Sequence, residues 1–489
     1  MKNIIYSLIG FLTVLMFAAC SKDSGSYTYK TINEISITNV LEGDHNTERI
    51  YNLPFKDTMT INPIVVGSIS GTNHSKLTFE WKVNHEVISN TLKFNYVADK
   101  EYGKLPGEFI VTDEETGIKK TFNFFVNVIN PYKLGYYLLS KNAANESILY
   151  CRSTLSQSKK FEKVLIPNVD LGKNPLTLGG MRQYGNSSTD YYNRLVIGVK
   201  NASYPVIMID SREFLPVLLY NTDSYVGDKT NFKFEPTEVV TDPFNPIIYV
   251  VNNGKIHVLQ KGAIGLHILR NDPKDYFAGL NSIVPPYSNG QYFLSFYDQK
   301  NKSMRVVDHA LSGIAYNYTI SYDQITKPSI FENQSYLTGR QASIGSEIKM
   351  VYLMREGNNL ISYMVNYNSN YIPSSMDKIA EAPIPGDGNI RFSTYDFRNN
   401  FWYVATSKAI YRASHLGLEF QNYVTLPNGE NGVIKTFKLE NEKLIVATYD
   451  EQFVGEKKSS VYVYDINTKD LEIQDKHVAE EVVDVFAGI

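Results

Sequence analysis

The sequence predicts an all-β chain in two parts: an N-terminal immunoglobulin-like β-sandwich over residues 32–130 and a seven-bladed β-propeller over residues 131–489. Three observations predict it. From about residue 135 onward one phrase recurs: a buried apolar strand, a polar excursion, an alternating strand and a polar turn, with β-branched and aromatic residues favouring strand over helix. The phrase occurs about seven times at a spacing of roughly 50 residues, which is the range of propeller blades. Upstream, about seven short strands fill roughly 100 residues around a single tryptophan on a middle strand, the pattern of an immunoglobulin-like sandwich.

The chain opens on a short basic start, Met1-Lys2-Asn3, followed by the apolar run Ile4 to Phe17 and the small-residue step Ala18-Ala19-Cys20. A run of about 14 apolar residues is the length of a signal-peptide core and too short to span a bilayer. Residues 1–19 therefore read as a leader. The Phe17-Ala18-Ala19-Cys20 step resembles the lipobox of bacterial lipoproteins, with Phe17 standing where leucine is usual. That resemblance implies a diacylated Cys20 as the mature N-terminus; ordinary secretory cleavage beside an incidental cysteine is the alternative. Each buried acyl CH₂ contributes about 0.8 kcal/mol, so two or three chains anchor stably. Residues 20–31 are polar, with Gly25 and several serines. They read as a flexible tether whose coil reaches only about 20 Å.

In the sandwich, Ile32–Ile37 alternates, Met59–Ile64 precedes Leu77–Val83 with Trp81, and Leu92–Tyr96, Gly107–Asp113 and Lys120–Val128 follow. No cysteine falls here, so the inter-sheet disulfide of antibody domains is absent. The Tyr27–Ile35 opening, Phe79-Glu80-Trp81, the Val111-Thr112-Asp113 to Thr116-Gly117 turn and the closing Phe122–Val128 strand resemble the PKD-like modules of Bacteroidetes surface lipoproteins. The resemblance covers about the first quarter of the chain. It implies an outer-membrane protein, lipid-anchored and facing the cell exterior, that accompanies a SusC/SusD-like pair, a TonB-dependent transporter with its lipoprotein lid. Asn130-Pro131 ends the sandwich, because proline breaks a strand.

The clearest copy of the propeller phrase is Lys443–Tyr449 followed by Val461–Asp465; the first is Gly135–Ser140 followed by Ile148–Tyr150. Each later copy has a further strand ahead of it, as Gly432–Phe437 precedes Lys443. The first copy has no room for one, and the C-terminal Glu481–Phe486 is an orphan strand of that type. This tail is expected to supply the innermost strand of the first blade and latch the ring.

Basic and acidic residues nearly balance, at 48 and 51, and no basic run occurs, so nucleic acid is excluded as an expected partner. Metal, cofactor and nucleophile motifs are missing: no H-E-x-x-H, C-x-x-C or G-x-S-x-G is present. The eight histidines are scattered and read as surface or packing residues, and Cys151 as a small buried hydrophobe. No catalytic, cofactor or metal residue is therefore assigned. The lead lies in long aromatic loops between blades, with Tyr225 and Phe232, Tyr276 and Phe277, and Phe331 and Tyr336 beside Asn and Asp. Such groups stack on sugars or peptides, or dock a protein, unless they only wedge between blades. The sequence thus predicts a non-enzymatic accessory head that captures oligosaccharide or peptide for the uptake pair. A propeller glycan hydrolase or lyase, and a purely structural scaffold, stand as alternatives.

Overall fold

The computed structural model describes residues 31–40, 49–100, 102–181, 194–211, 213–241, 247–260, 265–268, 275–284, 293–308, 321–322, 331–344, 347–367, 373–396 and 398–488. The leader, Cys20 and the tether up to residue 30 lie outside the described residues. The chain separates into two compact units, Met1–Val128 and Ile129–Ile489. Among the described residues there is no α-helix, only two single-turn 3₁₀ segments, Pro131–Lys133 and Thr222–Ser224, between strands. No helix among them is long and apolar enough to cross a membrane.

The first unit holds a five-stranded sheet in the spatial order Ile50–Pro54, Lys119–Ile129, Gly103–Asp113, Leu77–Val83, Glu86–Ser89. Two further pairs, Ile35–Thr38 with Ile64–Gly67 and Thr58–Ile61 with Phe94–Val97, complete it. The sequence reads one strand from Met59 to Ile64; the structure breaks it at Asn62-Pro63, where proline supplies no ladder donor. Trp81 is fully buried on the central sheet. Its ring stacks on Phe109 at 3.9 Å and Phe94 at 4.5 Å, and its indole N–H donates to Thr91 O at 3.0 Å. Satisfying that donor is what lets a tryptophan sit in a core. The Asp113 turn is locked the same way. The Asp113 carboxylate accepts from Asn33 Nδ2 (3.0 Å) and from the N–H groups of Glu115 and Thr116 (2.9 and 3.1 Å). The Asn33 hydrogen bond, first among these, holds the carboxyl below its usual range.

The second unit is β-propeller-like. Among the described residues it contains seven four-stranded antiparallel sheets. In six of them the strands follow the chain from innermost to outermost, beginning with Lys173–Met181, Pro236–Thr241, Ala278–Val284, Ser335–Ile344, Phe392–Asp396 and Val433–Glu440. The exception is the first, in which Glu481–Gly488 pairs antiparallel with Gly135–Lys141 ahead of Ser147–Ser153 and Phe161–Val164. The C-terminal tail is thus the edge strand of the N-terminal sheet, in the place that the first strand in chain order takes in the other six. The recurring apolar strand is the second of each sheet and is buried along its length, as in Ile247–Asn252. A strand covered on both faces carries a continuous apolar run.

The covering comes from neighbouring sheets. Seven apolar clusters each join two successive sheets: first to second, second to third, and so on to sixth with seventh. The last joins seventh to first, through Ile445 and Val463 against Leu138 and Val485. A four-stranded sheet cannot bury both faces alone, and stacking in series buries each face against a neighbour. One polar joint reinforces the seventh cluster. Asp484, on the tail strand, accepts from Lys438 Nζ (2.7 Å) in the seventh sheet. It also accepts from Leu178 N–H (2.8 Å) and Thr177 Oγ1 (3.1 Å) in the second. Cys151 is buried, and burial pushes its thiol well up, away from reactivity.

Candidate binding surfaces

The six aromatic residues singled out from the sequence fall into two groups. Tyr225 and Phe232 lie on the connection from the second sheet to the third. Residues Thr222–Ser224 make a single 3₁₀ turn capped by Asn221, and Val226 and Ser224 then exchange main-chain bonds with Leu266 (3.0 and 2.7 Å). Downstream, Asn252 pins the loop by donating to Lys233 O (2.9 Å) and accepting from Glu235 N–H (2.8 Å). The two anchors bring the rings together. Tyr225 stacks on Phe232 at 3.9 Å, and both lean on the buried His257 ring.

Beside this pair runs a groove of about 540 Å³, lined by Leu218, Tyr220, Asp223, Tyr225, Val226 and Lys229. One wall is the outermost strand of the second sheet, Leu215–Tyr220. This edge carries no charge, and Leu215, Val217 and Leu218 are each more than two-fifths exposed. The outer strands Phe161–Val164, Pro373–Pro383 and Leu471–Ala479 carry Lys, Glu or Asp, which guard an edge against pairing, whereas Gln421–Thr425 is uncharged but polar.

The other four aromatics gather where the third, fourth and fifth sheets meet, and the structure corrects part of the expectation. Phe331 is fully buried, edge-on to Tyr297 and Tyr363. Tyr276 is 4% exposed and lies in the core between third and fourth sheets, with Lys255 Nζ over its ring at 4.0 Å. Both wedge between sheets and offer no surface to a ligand. Tyr336 is partly buried, stacked on Tyr297 at 4.9 Å. Only Phe277 is open, at 47% exposure. Its ring rests on Gly254, where a Cβ would lie 2.2 Å from it and where φ is +73°, so glycine is required twice over.

Phe277 is held outward by a catch. Its N–H donates to Asp298 Oδ1 (3.1 Å), and Asp298, fully buried, also accepts from Arg305 Nε (2.7 Å) and Asn301 Nδ2 (2.7 Å). Immediately after it, the innermost strand of the fourth sheet loses register between Ala278 and Ile283. The residues from Gly279 to Ser282 bulge out of the ladder, with Asn281 in the left-handed region at φ 57°. Leu280 is left 66% exposed.

The bulge turns the N–H groups of Asn281 and Ser282 toward Glu238, on the innermost strand of the third sheet. Burial pushes the Glu238 carboxyl up to about 8, against these two donors, so it stays protonated near neutrality. Among the described residues its Oε2 has no hydrogen-bond partner, and neither do the buried hydroxyls of Tyr336 and Tyr297. Burial, with Glu238 and Tyr297 nearby, also drives the Tyr336 phenol well up. Glu238, Tyr297, Leu280 and Asn281 were not singled out from the sequence. The sequence shows only that Leu280-Asn281-Ser282 interrupts an apolar strand and Glu238 another, and neither interruption says that the two meet. A third group of ionisable residues lies on or beside the innermost strands: Glu440, pushed up by burial, near Lys438, Arg340, Asp484 and Arg398.

Residues 20–169 match the model of the PKD-like family. No curated protein sequence matches the chain. Among solved structures, similarity extends to a quinonprotein alcohol dehydrogenase-like protein from Bacteroides thetaiotaomicron. That match has 13% identity and a TM-score of 0.43, and covers 92% of this chain and 99% of that one. AztD from Citrobacter koseri is 13% identical, with a TM-score of 0.33 over 84% of this chain and 99% of that one. Dihydro-heme d1 dehydrogenase NirN is 10% identical, with a TM-score of 0.38 over 78% of this chain and 73% of that one. At these values nothing about activity carries over.

Proposed function

We propose that this chain is a lipid-anchored outer-membrane protein, facing the exterior, whose second unit is a closed seven-bladed β-propeller serving as a non-enzymatic binding head. The seven apolar clusters in cyclic order support the closed ring. The Phe17–Cys20 step supports the anchor. The observation that carries the binding role is the exposure of apolar and aromatic side chains on connections and edges that a solitary protein has reason to cover. They are Phe277 and Leu280 at the fourth sheet, and Leu218 and Val226 along the groove beside Tyr225. Captured oligosaccharide or peptide would pass to a SusC/SusD-like transporter, a partner that rests on the resemblance of the first unit alone. Purification from membranes through a tag on this protein tests the reading. Co-purification of a TonB-dependent transporter supports it; recovery of the protein alone, or of unaltered mature protein in the soluble fraction from both wild type and Cys20→Ala, removes it.

A glycan hydrolase or lyase is the second reading, and Glu238 is the observation that favours it. A carboxyl held protonated to about pH 8 is suited to donating a proton to a leaving oxygen. Release of reducing or unsaturated ends from purified polysaccharide, lost in Glu238→Gln, would establish it.

A further inference from the structure

We propose that the bulge on the innermost strand of the fourth sheet is a binding site for an uncharged saccharide, with Phe277, Leu280 and Asn281 on its surface and Glu238, Tyr297 and Tyr336 beneath. The inference rests on the binding-head reading above and names the ligand class and the site.

Three features of the geometry converge on that class. First, the surface of the bulge is amphipathic on the scale of one sugar ring. Phe277 and Leu280 expose apolar faces at 47% and 66%, and the exposed Asn281 amide, next after Leu280 in sequence, offers both a donor and an acceptor. A pyranose has the same division, an apolar ring face and a hydroxyl rim. Second, three oxygens beneath it lack partners. Glu238 Oε2 and the Tyr336 and Tyr297 hydroxyls come from three successive sheets, and each is buried without a hydrogen bond. Unpartnered buried polar atoms occur elsewhere in the second unit as well, but these three are brought together, with Tyr336 stacked on Tyr297 at 4.9 Å and Glu238 beside it. Hydroxyl groups, which donate and accept, satisfy all three. Third, the neighbouring charges are matched among themselves. Lys300 is paired with Asp275, Arg305 with Asp298, and Lys255 caps the Tyr276 ring. Glu238 remains neutral near pH 7. A charged ligand gains nothing from such a set, whereas an uncharged one loses nothing.

The residues that must yield are held within the bulge and against Glu238: Ser282 Oγ donates to Gly279 O (2.7 Å), and the Asn281 and Ser282 N–H groups donate to Glu238. Glu238 and Tyr336 are partly exposed as residues, although their polar ends are enclosed. Gly279 to Ser282 lie over Glu238 and have no ladder partner, because pairing jumps from Ala278 to Ile283. Lifting this bulge opens the three oxygens without breaking the sheet.

The test uses the full-length protein in detergent and titration calorimetry. The probes are neutral hexasaccharides of gluco-, manno-, galacto- and xylo-configuration, with tetra-alanine as a peptide control. The wild type is expected to bind at least one hexasaccharide. Phe277→Ala and Asn281→Ala are each expected to weaken that binding by about tenfold, the loss of one stacking or bidentate contact. Tyr336→Phe, which keeps the ring and removes only the hydroxyl, should weaken it several-fold. Leu218→Asp, in the separate groove, should leave it unchanged. Unchanged binding in Phe277→Ala and Asn281→Ala with loss in Leu218→Asp overturns the site and leaves the binding head standing. Binding of tetra-alanine alone overturns the ligand class and also leaves the head standing. If the wild type binds none of the probes, this proposal falls, while co-purification decides the head independently.

Discussion

Asp484 and Glu238 stand on innermost strands of the first and third sheets, and their surroundings treat them in opposite ways. Asp484 is met by an ammonium, a main-chain N–H and a threonine hydroxyl drawn from the sheets on either side. Glu238 is met by two main-chain N–H groups, and its second oxygen is left unanswered. The first acid belongs to the strand in which the chain's end returns to its beginning, where Oδ2 takes the donors from both neighbouring sheets and Oδ1 takes the Val485 N–H. The second belongs to a bulge, where the ladder is already interrupted. A buried acid that is fully answered reads as structure; one that is half answered reads as a place kept for something else.

The strongest way to break the comparison is at the joint. Deleting Val482–Ile489 removes the inner strand of the first sheet, Asp484, and the Val482, Val485 and Ala487 side chains of the closing core. The second unit is expected to lose at least about 10 °C in Tm or its cooperativity altogether, since several buried residues vanish at once. A truncated protein that melts like its parent would show that the tail closes nothing. A milder cut is Asp484→Ala, expected to cost about 2–3 kcal/mol in denaturant unfolding because Lys438 loses its carboxylate and keeps only the Leu178 carbonyl. Pairing it with Lys438→Met should recover part of the loss; strict additivity would mean the two groups do not cooperate.

Glu238 should behave in the reverse sense. Its folded-state carboxyl titrates at about 8 against an ordinary value of 4.5. Below about 4.5 both folded and unfolded chains hold the proton. Between 4.5 and 8 the unfolded chain releases it while the folded chain keeps it, so stability falls as pH rises, and above 8 the loss is complete. Glu238→Gln removes that slope. The variant is expected to match the wild type near pH 5 and to exceed it at pH 8.5 by a Tm difference of about 2 °C or more. Parallel stability–pH curves for the two proteins would place Glu238 in contact with solvent instead.

The joint was legible in the sequence and the bulge was not, for a physical reason. The tail reads as a strand because Val482, Val485 and Phe486 supply apolar β-formers after a turn, and its role follows from counting: the first copy of the phrase lacks a strand that the others have. Counting is blind to distance, so a partner some 340 positions away costs it nothing. Glu238 is different. In Pro236–Thr241 it stands beside Thr237 as one more polar residue of a short strand. What buries it is a loss of register in another strand, set by the catch at Asp298 and the left-handed Asn281, and no local pattern in either strand carries that information. The loop aromatics fall between these cases. Their place on connections is readable, but which of them face out depends on where the neighbouring chain is pinned.

Tyr276 and Phe277 put that last point at its sharpest, because they are adjacent. Consecutive residues of an extended chain point to opposite sides, so one of the two must be inside. The Asp298 carboxylate takes the Phe277 N–H and the Tyr276 hydroxyl takes the Ile256 N–H (2.8 Å), which together fix the phase. Tyr276→Ala should therefore cost about 3 kcal/mol or more, as a cavity forms between the third and fourth sheets and a main-chain donor loses its acceptor. Phe277→Ala should cost under about 1 kcal/mol, since half the ring is already in water and it lies over Gly254, which has no side chain to pack against it. Urea titrations of the two variants decide it. Equal losses would mean that Phe277 is a packing residue like its neighbour, and the surface assigned to the bulge would then have no aromatic face to offer.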